Sequence, residues 1–166
     1  MIRIAVCDDE NVIVNQIEHI ISEVCKRESI PVNIDVFYSG RELKRQVTSG
    51  TKYDIIFLDI QMKGGDGITA AENIRKVDDN VLLIYVSGYD KYMMELFRLD
   101  VFGFIKKPID EEILTKTWVG IIEHPDDPFC ICTVDGGRKK KGESGTGKIL
   151  FFSPVGASGK HSHCNQ

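Results

Sequence analysis

Tyr53-Asp54-Ile55-Ile56-Phe57-Leu58-Asp59-Ile60 is the most apolar stretch of the chain, with one carboxylate at its entry and another near its end. The uninterrupted apolar run Ile55 to Leu58 reads as a strand covered on both faces, because a half-exposed strand would alternate with polar residues. Upstream, Ile2–Cys7 is a second such run, ending at Asp8-Asp9-Glu10, after which Ile13, Ile17, Ile20, Ile21 and Val24 recur at helical spacing. Pro31 and Asn33 open a predicted strand over Val32–Tyr38, and Ser39-Gly40 lead into a predicted helix over Arg41–Val47. Downstream of Asp59, Gly64-Gly65-Asp66-Gly67 turns the chain into a helix carrying Ile68, Ala71 and Ile74. Val81–Val86 is a predicted fourth strand, stopped by Ser87-Gly88. Tyr92, Met93, Leu96 and Phe97 predict a short helix, and Val101–Ile105 a fifth strand. Pro108 then breaks the chain before a last helix with Ile113, Leu114, Thr117 and Ile121.

Five βα units of similar size imply a parallel sheet with helices on both faces, since right-handed crossovers place them there. The expected class is α/β, a flavodoxin-like doubly wound sheet of five parallel strands in the order 2-1-3-4-5, plus a short C-terminal extension. Residues 1–122 form this unit. From Glu123 the character changes: His124-Pro125-Asp126-Asp127-Pro128 reads as a linker, and residues 123–166 hold seven of the fifteen glycines. Two β-prone pieces in that tail, Phe129–Val134 and Ile149–Phe152, flank a polar, basic stretch.

Composition narrows the classes. Of 166 residues, 42% are apolar and 28% charged, enough to bury a core. The net charge of −4 divides into −5 for residues 1–122 and +1 for the tail, so neither part is basic enough to indicate nucleic-acid binding by charge. No apolar run approaches the ~20 residues of a membrane span, and a cytoplasmic protein is expected. The five cysteines, Cys7, Cys25, Cys130, Cys132 and Cys164, lack CxxC spacing and read as buried or idle thiols.

The chemistry is carried by acids at strand ends. In a doubly wound sheet the carboxyl ends of the strands form the binding edge. With strands one and three adjacent, Asp8, Asp9 and Asp59 converge there. Three carboxylates so placed repel one another, and a small hard cation such as Mg²⁺ relieves that cost. Ser87 after strand four and Lys107 after strand five reach the same edge. An acid nucleophile, a metal, a hydroxyl and an ammonium together describe a phosphoryl-transfer site.

Val6-Cys7-Asp8-Asp9-Glu10, Phe57-Leu58-Asp59-Ile60-Gln61-Met62, Gly67, Val86-Ser87-Gly88 and Phe104-Ile105-Lys106-Lys107-Pro108 stand in order and at βα spacing. In this the chain resembles the receiver domain of bacterial two-component response regulators, CheY-like, and most resembles those of LytTR-type transcriptional regulators. The LytTR likeness lies in Ser87-Gly88-Tyr89-Asp90-Lys91-Tyr92 and Phe102-Gly103-Phe104-Ile105. The resemblance implies that Asp59 accepts a phosphoryl group from a sensor histidine kinase. It implies Mg²⁺, replaceable by Mn²⁺, on Asp9 and Asp59 directly, on Asp8 through water and on the Gln61 backbone carbonyl. It implies that Lys107 pairs with the acyl phosphate beside a cis Lys107-Pro108 peptide. Ser87 and Phe104 form the switch, Ser87 moving to the phosphoryl and Phe104 turning inward. Output passes through the face of the fourth helix, fifth strand and fifth helix, where relatives dimerise or bind partners. Two departures stand out: Lys63 replaces the usual Pro, and Phe104 the common Tyr. Gln61 and Tyr89 occupy positions that tune dephosphorylation, and Tyr89 is expected to shield the phosphate.

The same residues also admit other readings. Asp8 and Asp9 also suit a helix N-cap, Ser87-Gly88 a turn, and Lys107-Pro108 a helix start. Asp59 also suits the nucleophile of a metal-dependent phosphohydrolase, though position 61 is Gln where such an enzyme wants a general acid. Gly142-Glu143-Ser144-Gly145-Thr146-Gly147-Lys148 matches the phosphate-cradling GxxxxGK of a P-loop ATPase. Ile149 follows the Lys and opens a strand-like run, whereas a working P-loop opens a helix there. His161, His163 and Cys164 read as a solvated tail. The tail as a whole reads as a truncated or altered LytTR DNA-binding domain, the alternative being a single-domain regulator with a short end. DNA binding is expected only with a complete output domain.

Overall fold

A computed structural model describes residues 1–63, 65–88, 102–123 and 149–151. The elements are β1 (Ile2–Cys7), α1 (Asn11–Arg27), β2 (Val32–Phe37), α2 (Gly40–Thr48), β3 (Ile55–Leu58), β4 (Gln61–Met62), β5 (Gly65–Asp66), α3 (Gly67–Arg75), β6 (Leu82–Ser87), β7 (Gly103–Lys106), α4 (Glu111–Glu123) and β8 (Ile149–Phe151). The main sheet runs β2-β1-β3-β6-β7-β8. Its first five strands are parallel, in the order expected of the doubly wound class.

Two features differ from expectation. A sixth strand, β8, comes from the tail and pairs antiparallel with β7, Phe104 opposite Leu150. The predicted Gly-rich turn contains a two-residue antiparallel pair, β4 with β5. The predicted helix around Tyr92–Phe97, Tyr89, the linker, the Phe129–Val134 piece, Gly142–Lys148, and His161, His163 and Cys164 lie outside the described residues.

The strands divide two cores by simple alternation, because successive side chains point to opposite faces. Ile4, Val6, Ile55, Phe57, Ile84 and Val86 face α1 and α4, meeting Val14, Ile17, Ile21, Leu114 and Trp118. Ala5, Cys7, Ile56, Leu58, Leu83 and Tyr85 face α2 and α3, meeting Leu43, Val47, Ala70, Ala71 and Ile74. Each fully buried Leu, Ile or Phe contributes about 1.5–3 kcal/mol by leaving water. Helix starts follow local chemistry: Ser39 Oγ accepts the Glu42 N–H at 3.3 Å, and Asp110 Oδ1 accepts the Ile113 N–H at 3.1 Å. Cys7 and Cys25 are buried free thiols. Among the described residues no helix is long and apolar enough to cross a membrane.

Candidate functional site

The register of the sheet sets the site. Cys7 pairs with Leu58, Leu58 with Tyr85, and Ser87 with Lys106, so the residues that follow β1, β3 and β7 leave the sheet at one edge. The edge is tied together by main-chain bonds: Asp59 N–H to the Cys7 carbonyl at 2.9 Å, and Lys107 N–H to the Ser87 carbonyl at 3.0 Å. Asp8, Asp9 and Asp59 each bring a carboxylate oxygen within 4.8 Å of the others. Asp8 and Asp59 are buried, 1% and 4% exposed, and Asp9 is half-buried.

Lys107 enters this group from the β7 end, its Nζ 2.8 Å from Asp8 Oδ2 and 3.3 Å from Asp59 Oδ2. The Lys107-Pro108 peptide is cis, and Gln16 Nε2 donates to the Ile109 carbonyl at 3.1 Å just beyond it. Burial pushes the carboxyls of Asp8 and Asp59 above the usual range, and Lys107 opposes that only in part. Burial alone would lower the Lys107 ammonium, but its contacts with Asp8 and Glu10 and the field of Asp59 outweigh it and raise the pKa. Cys7, beneath the acids, is also pushed up, by burial first and then by Asp8 and Asp59. A thiol held neutral in this way is inert.

The N-cap reading of Asp8 and Asp9 does not hold. Glu10 occupies the cap of α1 and no side chain caps that helix; Asp8 Oδ1 instead accepts the Glu10 N–H at 2.9 Å. Gln61 lies in β4 with its side chain exposed, its N–H 3.3 Å from Asp59 Oδ1. Ser87 is fully buried. Phe104 is 1% exposed within the core on the α2 and α3 side, so it already stands inward.

Two contacts escaped the sequence reading. Lys63 N–H donates to Asp9 Oδ2 at 3.0 Å, a bond that a proline at this position has no hydrogen to make. Glu10 Oε1 accepts from Lys107 Nζ at 3.0 Å. The only signal for the second was the acid that follows the Asp8-Asp9 pair.

The donor set suits a hard divalent cation. It is all oxygen, it concentrates negative charge around one ammonium, and buried Asp8 Oδ2 meets Lys107 as an ion pair without a directed hydrogen bond.

A doubly wound parallel sheet with an acidic pocket and a lysine at its carboxyl edge defines a flavodoxin-like protein of the CheY-like class. Residues 4–118 match the response regulator receiver domain family, and the chain belongs to it as a receiver domain of a two-component response regulator. It is 28% identical over 117 residues to sensory transduction protein LytT of Bacillus anthracis, covering 70% of this chain and 46% of that one. Against sensory transduction protein LytR of Staphylococcus saprophyticus it is 23% identical over 155 residues, covering 89% of this chain and 58% of the other. The chain thus spans about half the length of these curated relatives. A two-component response regulator from Clostridium difficile shares the fold with a TM-score of 0.65 at 22% identity, covering 76% of this chain and all of that structure.

Proposed function

We propose that the domain is a phosphorylation switch whose acceptor is Asp59. The observation that carries this reading is the convergence of Asp8, Asp9 and Asp59 within 4.8 Å, with the Lys107 ammonium 3.3 Å from Asp59. A carboxylate buried beside a cation suits nucleophilic attack on phosphorus. An Asp59 oxygen forms the new O–P bond while the N–P bond of a phosphohistidine breaks, and the imidazole nitrogen keeps the electron pair. Lys107 offsets the charge the phosphoryl brings. Asp8, Asp9 and Asp59, with the Gln61 carbonyl, would hold Mg²⁺ or Mn²⁺. When bound, such an ion screens the acids from one another and from the incoming phosphoryl.

The donor in this reading is a sensor histidine kinase. Ser87 and Phe104 form the switch: the hydroxyl bonds the phosphoryl, and the packed position of Phe104 is stabilised with it. The readout face includes β7 and α4, where a second copy or an output domain binds. In a longer LytTR-type protein that output is transcription, and residues 123–166 are the linker and the start of such a domain. Turnover as a phosphohydrolase is disfavoured by Gln61.

Intact-mass spectrometry after incubation with Mg²⁺ and acetyl phosphate tests the reading. Wild type gains one phosphoryl group, about 80 Da, and Asp59→Asn gains none. An adduct that survives Asp59→Asn places the acceptor elsewhere, and no Mg²⁺-dependent adduct in either protein defeats the reading.

A further inference from the structure

The Lys107 ammonium has three N–H bonds to give, and three carboxylates already surround it. Asp8 stands at 2.8 Å, Glu10 at 3.0 Å and Asp59 at 3.3 Å, so the residue that reacts has the longest contact. Asp8 and Asp59 are buried, whereas the Glu10 side chain is 61% exposed. The backbone of Glu10 is committed elsewhere: its carbonyl accepts the N–H groups of Ile13 and Val14 at the start of α1. Its carboxylate takes no part in that cap and reaches instead across to Lys107, 97 positions along the chain.

We infer that Glu10 is a positioning residue, a latch that holds Lys107 in a resting arrangement which the incoming phosphoryl group must open. The inference rests on the phosphoacceptor reading above. Glu10 and Asp59 each accept a hydrogen bond from this ammonium and Asp8 meets it as an ion pair, so a phosphoryl oxygen arriving at Asp59 has to compete with contacts already made. The Asp8 contact is short and closed off from water, and breaking it would leave a buried charge unpaired. The Glu10 contact faces solvent, where water replaces the lost partner and the pair is worth little. Glu10 therefore yields, and what it held before yielding is added to the barrier.

Glu10→Gln alone would not decide the matter, because it also removes a negative charge that repels an anionic donor. Glu10→Asp keeps the charge and shortens the side chain by a methylene, which withdraws it from Lys107. The rate of Asp59 phosphorylation by acetyl phosphate in the full chain at saturating Mg²⁺ is expected to rise about two- to fivefold in both variants. High salt should raise the wild-type rate toward theirs, since an exposed pair is screened. A second readout needs no phosphorylation. In the metal-free protein, ¹⁵N spectra of the Lys107 ammonium should show faster proton exchange in Glu10→Asp than in wild type.

Acceleration in Glu10→Gln with none in Glu10→Asp would reduce the effect to net charge and overturn the latch. Slower phosphorylation in both would make Glu10 a support for the reactive geometry, also against it. A wild type that takes no phosphoryl group defeats the phosphoacceptor reading, while the ammonium exchange still decides whether Glu10 holds Lys107. Unchanged exchange overturns the latch by itself.

Discussion

Gly67 packs directly onto the main chain of Asp59: a Cβ at position 67 would run into the Asp59 carbonyl oxygen, and the Ile60 Cα lies just behind it. The Gly67 N–H donates to the Ile60 carbonyl at 2.9 Å, so the start of α3 is fastened to the segment that carries the acceptor. The obstacle is backbone, which cannot rotate away as a side chain could. Gly67→Ala is expected to destabilise the fold by about 1–3 kcal/mol. It should also displace Asp59 and slow its phosphorylation about tenfold or more. Chemical denaturation and the acetyl phosphate mass assay read the two effects separately.

Buried acids crowded around one lysine strain the metal-free protein. Asp59→Asn removes one charge from the cluster and leaves Lys107 with Asp8 and Glu10 as partners. The variant is expected to be more stable than wild type without divalent metal, by about 1–3 kcal/mol. Mg²⁺ should raise the wild-type melting temperature, by about 1.4 kcal/mol of stability at tenfold excess over Kd. Asp59→Asn should respond much less. Thermal melts of both proteins with and without Mg²⁺ check this, and equal Mg²⁺ shifts would refute it.

Away from the site, the Tyr53 hydroxyl donates to Asp35 Oδ2 at 2.8 Å, and the Arg3 guanidinium lies 5.4 Å from the ring centroid. Burial, and then the Asp35 carboxylate, push the Tyr53 pKa above its ordinary 10.0, while Arg3 opposes. The folded state thus holds the phenolic proton more tightly than the unfolded chain. The contribution is fully present below pH 10 and is lost as pH rises through the folded value. Denaturation from pH 8 to 11 should show wild type losing stability relative to Tyr53→Phe above pH 10. At pH 8 the variant should be the weaker by about 1.5–3 kcal/mol, the worth of a hydrogen bond to a charged acceptor.

The tail strand makes its own prediction. β8 pairs with β7 in the register Gly103 to Phe151 and Ile105 to Ile149, covering the outer edge of the strand that carries Phe104. A proline at 150 removes a backbone donor and breaks a strand. Leu150→Pro should lower hydrogen-exchange protection in 103–106 by about tenfold, with Ile2–Cys7 unchanged. Equal protection in both proteins would mean that the edge is not held by this segment.

Much of this architecture is legible in the sequence. β1 matches its predicted span, and β3 lies inside its predicted run, because a strand buried on both faces must be an apolar run. Helices α1 and α4 announced themselves through residues at helical spacing, which form their buried faces. Asp59 stood out for a related reason: a charged residue at the end of so apolar a strand needs a purpose that packing does not supply. Adjacency of strands one and three then brought Asp8, Asp9 and Asp59 together, and register did the same for Ser87 and Lys107.

What the sequence determined by itself is therefore what period and position govern: the five parallel strands, the described helices that it foresaw, their winding, and the acids, serine and lysine at one edge. The tertiary structure alone decided how the loops at that edge meet. The Glu10 contact with Lys107, the Lys63 N–H on Asp9 and the Gln16 hold on Ile109 carry no periodic signal. The β4 and β5 pair belongs with them, and so does the antiparallel seat of β8 on β7, though its β-prone run was legible. Local periodicity reports which face of an element is buried. Contacts between loops depend on where the sheet's register and twist carry the ends of its strands, and that is settled only when the whole chain has closed on its cores.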